Sequence, residues 1–290
     1  MGTSGIYGGP GSGTPLVPSW LEPDDVPRSS RPDEVVPGEE SPNGVESTPA
    51  LVSRPPEPPA VPTRFAAARS NFSRFAGSGG RDRASLGRAV AGYVSTSSGG
   101  ARTAAHRMGS SRVAAGRLLG FLADARARGA EEALRTLNLD ALAGRPIEDV
   151  FLGLADYVCR DGGTVDEGIA RDAFVETIAD LASAGITDLN ALTVDQMQTV
   201  LELYATHAIE TRLCNDIGMK VVTVPTDLRD AARVQAQLRD FIRRGVGDAL
   251  TAARGALQSL TPDRVLGFVT GVYEAAFAIL QVLGEQAAQA

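Results

Sequence analysis

Few side chains in this sequence could do covalent chemistry, and their spacing fits none of the usual catalytic patterns. There are two histidines, His106 and His207, and two cysteines, Cys159 and Cys214. His106 stands beside Arg107 with no carboxylate or cysteine placed to complete a metal site, which assigns it to a basic surface. His207 has Glu202, Glu210 and Arg212 around it on one predicted helix, the setting of a solvated or core-edge histidine. The cysteines, 55 residues apart on predicted helices, read as reduced core thiols. Asp156, Asp161, Asp166 and Glu167 cluster in sequence, but at helix ends, where acids favour the helix dipole. Nucleophile elbow, HExxH, CxxC pair and phosphate lysine are all missing, so neither an enzyme nor a bound cofactor is expected. Gly8 to Thr14 has the glycine spacing of a phosphate loop, but Thr14 stands where lysine is required and no strand or helix flanks it.

One nucleophile remains, the main-chain amine. A Met1-Gly2 start predicts removal of Met1, leaving an unhindered α-amine on Gly2. Its pKa of about 7.7–8.0 keeps an appreciable fraction neutral at cytoplasmic pH. Ile6 occupies the position where a myristoylation signal needs serine or threonine, so lipidation is not expected. A glycine-rich leash could carry the amine deep into another enzyme's active site, which suits a substrate of modification.

The elements that would position these groups fall into three zones. Residues 1–63 hold 14 of the 17 prolines and 9 acids against 3 arginines, a net of -6. Proline removes amide donors and biases the preceding residue away from helix, and the scattered apolar residues cannot bury enough surface to offset ordering. An acidic, disordered Pro/Gly-rich tail is predicted, with polyproline character around Arg54 to Pro59. Its first 20 residues differ in texture and carry Tyr7 and the single tryptophan, Trp20. Aromatic residues in such a segment often anchor in a partner's pocket.

Residues 64–128 hold 12 arginines against Asp82 and Asp124, a net of +10. Phe65, Phe72 and Phe75 with neighbouring alanines predict one short helix, and Leu86, Val90, Tyr93 and Val94 form the stripe of a second. A third segment, 101–108, leads into a longer helix over 112–128. Two uses of the arginines compete. Arg74, Arg102, His106, Arg107, Arg112 and Arg117 could form a basic surface for nucleic acid. Alternatively, the zone packs against the acidic remainder, residues 129–290, whose net charge is -11. That remainder reads as helix almost throughout. Thr164 caps a helix beginning at Val165, Thr193 opens a long one, and two more cover about 226–257 and 261–287. Met219 to Val224 is the one β-branched, extended candidate. Val265 to Leu283 is broken by Thr270, Tyr273, Glu274 and Gln281, so a buried helix is expected and no membrane span. The N-terminus lacks the pattern of a secretory signal, and a cytoplasmic location is expected. The fold class is therefore mainly α, a helical bundle preceded by a long disordered tail.

Several blocks resemble the QatB family of the four-gene Qat anti-phage defence system. They are Met1-Gly-Thr-Ser4, Gly8-Gly-Pro10 through Pro15-Leu-Val-Pro18, Trp20, Phe72-Ser-Arg-Phe75 and Gly99 through Ser110. Together the matched blocks cover roughly 1–20 and 64–125, whereas the C-terminal half is similar only in helical texture. The resemblance implies three partners: an ATPase, a QueC-like enzyme resembling the deazaguanine-making queuosine synthase, and a TatD-like nuclease. It further implies that the QueC-like enzyme attaches a 7-deazaguanine group to the Gly2 amine, with Thr3, Ser4 and Tyr7 entering its channel. The resulting expectation is a non-catalytic defence component modified at Gly2. The alternatives are a nucleic-acid-binding adaptor and a scaffold for the ATPase and nuclease.

Overall fold

The computed structural model describes residues 64–160, 162–217 and 227–290. The tail lies outside the described residues, as do Asp161 and the predicted extended piece at 219–224. Ten α-helices are described, and no strand occurs among the described residues. The fold is mainly α.

The first half of the order is α1 (Ala66–Gly77), α2 (Arg83–Gly92), a π-helical turn (Tyr93–Ser97), α3 (Ala101–His106), α4 (Gly109–Arg128) and α5 (Ala130–Thr136). The second half is α6 (Ile147–Val158), α7 (Val165–Leu181), α8 (Val194–Ile217), α9 (Leu228–Gln258) and α10 (Val265–Gln289). Side chains fix several of the starts. Asp82 accepts from the Ser85 amide at 2.9 Å to begin α2, and the Ser85 hydroxyl, with that amide second, holds its carboxyl below the ordinary range. Thr164 and Glu167 form a reciprocal capping box at α7. Thr193 and Gln196 exchange equivalent bonds at α8, of 3.1 and 2.9 Å. Gly99 and Gly100, with φ of +82° and +100°, turn the chain from the π-helical turn into α3.

One continuous hydrophobic core runs from Phe65 to Leu280, so the arginine-rich and acidic zones share it. Its main seam is between α2 and α10, which approach backbone to backbone. A Cβ placed on Gly87 would stand 2.5 Å from the Gly284 carbonyl oxygen, and one on Gly284 2.6 Å from that of Gly87. Both positions require glycine for this reason. Facing α10, α2 offers Ala91, and the helix face Val265, Val269, Tyr273, Ala276, Phe277 and Leu280 is buried against its neighbours.

Residues 262–289 form a helix long and apolar enough to cross a bilayer by length and composition alone, a test that a core helix also passes. The interrupting Thr270, Tyr273, Glu274 and Gln281 lower the apolarity without abolishing it. In this fold one side of α10 is buried by packing on α2, α3, α4 and α9, while Leu266 and Val282 stay exposed.

Replacing Gly284 by valine should force α2 and α10 apart. An overpacked seam of this kind costs about 1–3 kcal/mol, read as a lower urea midpoint by far-UV circular dichroism. Gly120→Ala on α4, whose Cβ would meet nothing within 4 Å, should be neutral or stabilising.

Candidate functional site

The π-helical turn, the end of α3, the first turn of α7 and the C-terminal end of α8 bring four charged side chains and a tyrosine into the interior. Asp216 Oδ2 accepts from Tyr93 Oη at 2.8 Å, Arg107 Nη2 at 3.0 Å and Arg212 Nε at 3.1 Å. Arg212 also donates from Nη1 to Asp166 Oδ1. The side chains of Arg107, Arg212, Asp166 and Asp216 are all less than a tenth exposed. Two cations and two anions balance, which is the condition under which buried charge is tolerated. Burial opposes the charge of Arg212, but Asp216 and Asp166 together outweigh it and hold the guanidinium above its usual range. Burial pushes the Asp166 carboxyl up, against the pull of Arg212. It also pushes the Tyr93 hydroxyl up, with the Asp216 charge adding to the effect.

Against this cluster lies the root of the N-terminal tail. The Phe65 ring stacks on Tyr93 with centroids 5.6 Å apart and planes at 23°. The Arg107 guanidinium lies 5.1 Å from the Phe65 centroid, and that of Arg64 5.7 Å. Arg64 donates to the Ser97 carbonyl of the π-helical turn. Arg69 donates to the Ile217 carbonyl at the end of α8, at 2.6 Å. The point where the tail leaves the body is thus fixed on the same elements that hold the charge cluster.

The expected basic surface is only partly present. Arg74, Arg102 and His106 are exposed. Arg107 is buried at 3 % exposure, so its assignment to the surface is corrected. Its guanidinium is committed to Asp216, 109 residues away in sequence. Arg112 is half-buried and donates to Thr270 Oγ1 of α10 at 3.0 Å. Arg117 is half-buried and donates to the Val158 and Tyr157 carbonyls at the end of α6, at 3.3 and 3.4 Å. Arg102 pairs loosely with Glu274 at 3.8 Å. Arg102, His106 and Arg112 therefore share one end of α3 and α4, while Arg74 sits apart on α1 beside Asp82. Gly2, Thr3, Ser4, Tyr7 and Trp20 lie outside the described residues.

The remaining chemistry-bearing groups are structural. His207 Nε2 is 2.9 Å from Asp180 Oδ2, with the ring buried. Burial pushes the Cys159 thiol up to about 11 and that of Cys214 to about 12, so both stay protonated at neutral pH. Asp156 pairs with Arg171 at 3.0 Å, and Glu167 serves the α7 cap. Among the described residues no group of three or more histidine, cysteine or acidic side chains could hold a metal ion. Sequence reasoning missed the cluster of Tyr93, Asp166, Arg212 and Asp216. Its one local signal was Arg212 and Asp216, four residues apart on the inward side of a helix that otherwise buries apolar groups.

The family model described as Qat anti-phage system associated protein QatB matches residues 99–280, well over half of the chain. The chain belongs to the QatB family. It is accordingly a component of the multi-protein Qat anti-phage system. The match takes in Arg107, Asp166, Arg212 and Asp216, and therefore the whole charged part of the cluster. Of the blocks that carried the sequence resemblance, only Gly99 through Ser110 falls inside it. No curated protein matches this QatB-family chain, and no solved structure does.

The charge balance makes a sharp prediction. Asp216→Asn leaves Arg107 and Arg212 sharing one carboxylate, and losing one partner of a buried set costs about 3–5 kcal/mol. The combined change Asp216→Leu with Arg107→Met should recover much of that in denaturant unfolding. A double variant no more stable than the single one would refute the buried-charge explanation.

Proposed function

We propose that this chain is a non-catalytic Qat component and the protein substrate of a QueC-like enzyme of the same system. The enzyme attaches a 7-deazaguanine group to the α-amine of Gly2 once Met1 is removed. Thr3, Ser4 and Tyr7 follow the amine into the enzyme's channel, Trp20 serves as an anchor further along, and the helical body is the docking platform. The observation that carries this reading is the fixed root of the tail. Phe65 is held between Tyr93 and two guanidiniums, so the 62 residues from Gly2 to Thr63 start from a defined point on the helical body. A tail of that composition can enter an active site that a folded domain cannot. The two thiols, kept protonated by burial, also fit a role in which the chemistry belongs to a partner.

The nucleic-acid reading is weakened by the same geometry. Arg107 is internal and Arg112 and Arg117 are tied to α10 and α6, which leaves Arg74, Arg102 and His106 at two separate places. A scaffold for the ATPase and nuclease needs the body but not the tail.

Intact-mass measurement with N-terminal peptide mapping tests the proposal, on chain expressed alone and together with the other system proteins. The expected result is a partner-dependent added mass on Gly2, lost when residues 2–8 are deleted while the helical circular dichroism is kept. An unmodified Gly2 in the presence of active enzyme overturns it. Defence that survives removal of the tail would favour the scaffold.

A further inference from the structure

Helix α4 carries a stripe of small residues, Gly116, Gly120, Ala123 and Ala127, on the side facing the start of α10 and the end of α6. Between them runs an apolar groove of about 450 Å³. Val113, Tyr157 and Leu266 line it with 39 %, 38 % and 51 % exposure, large apolar groups that the fold itself leaves uncovered. At Val113 and Arg117 the groove continues into a second cavity of about 320 Å³ that also holds Arg112 and Arg160. The one acid lining that second cavity, Glu167, is engaged with Thr164. The groove's own acid, Asp124, is paired with Arg128, so the combined surface is mainly apolar at one end and cationic at the other.

The tail contains a segment of matching order. Leu16, Val17, Trp20 and Leu21 are followed directly by Glu22, Asp24 and Asp25. Nowhere else in residues 1–63 does an aromatic residue precede a group of acids in this way. We propose that residues 16–25 of this same chain dock in the groove between α4, α6 and α10. Trp20 with its apolar neighbours covers Val113, Tyr157 and Leu266, and the acids face the exposed Arg160. Arg112 and Arg117 stay tied to Thr270 and to the α6 carbonyls, but those neutral acceptors leave their charge in place to favour the acids. The larger cavity, about 710 Å³ beside α9, offers no such match. Arg83, Arg243 and Arg244 there are offset by Glu202, Asp240 and Asp248.

Reach is not limiting. Phe65 lies against Arg107, just before the turn into α4, and α4 rises by about 17 Å from Gly109 to Gly120 at helical spacing. The 43 residues between Trp20 and Arg64 would reach roughly 33–39 Å even at the dimensions of a random coil. Tethering at that length gives an effective concentration in the millimolar range, so even a weak contact is populated. The inference deepens the proposed function by giving the anchor a pocket on the chain itself and shortening the free leash to about fifteen residues. Docking itself needs no modification, so the two readings fail separately.

Trp20 is the single tryptophan, which makes intrinsic fluorescence of the full chain a direct report on it. The expected emission is blue-shifted from free tryptophan, with several-fold weaker acrylamide quenching, and independent of protein concentration. Leu266→Glu and Arg160→Glu, both at exposed positions, should move emission and quenching towards the free values without loss of helical circular dichroism. Gly120→Leu, which fills the groove from a position with open space above it, should do the same and guards against misfolding of either charged variant. Water-like emission in the unmodified chain, or emission indifferent to all three substitutions, overturns the proposal. So does a blue shift that disappears on dilution, since that places Trp20 on a second copy.

Discussion

A single carboxylate oxygen organises the interior. Asp216 Oδ2 takes hydrogen bonds from Tyr93, Arg107 and Arg212, and Arg212 passes the network on to Asp166. Withdrawing each of these charges from water costs several kcal/mol, which the close opposite charges and their shared hydrogen bonds offset. An apolar interface tolerates small slips, because dispersion and hydrophobic burial have no direction. A three-donor carboxylate does not, because every donor must keep its angle. The register of α8 against the π-helical turn, α3 and α7 is therefore set by electrostatics, inside a core whose cohesion is apolar.

The helices were largely legible in the sequence because their determinants are local. Thr164 and Glu167 lie three residues apart, and so do Thr193 and Gln196, and both pairs form the caps that their spacing predicts. The glycine pairs at 79–80 and 99–100 fall where the apolar stripes stop. The cluster was not legible because its parts are distant in sequence. Arg107 has the same composition around it as Arg102, yet one is buried and the other mostly exposed. What distinguishes them is Asp216, over a hundred residues away.

The uneven charge of the chain acquires a meaning in this fold. Much of the positive zone is engaged from within, in ion pairs with Asp216 and Glu274 and in hydrogen bonds to Thr270 and to carbonyls at the ends of α6 and α8. The arginines that looked like a ligand surface are mainly joinery between the two halves of the core. Among the described residues, the groove along α4 is left as an uncovered apolar surface.

Joinery of this kind has a mechanical side. A pull on residue 63 is taken first by Arg64 and Phe65, which bear on Ser97, Tyr93 and Arg107. Only beyond them does the load reach Arg69, whose bond to the Ile217 carbonyl delivers it to the final turn of α8. Both load paths end on residues bordering Asp216. Tension applied to residue 63 would thus reach the charge cluster before it could peel α1 from the body, and the Asp216 joint would act as its mooring.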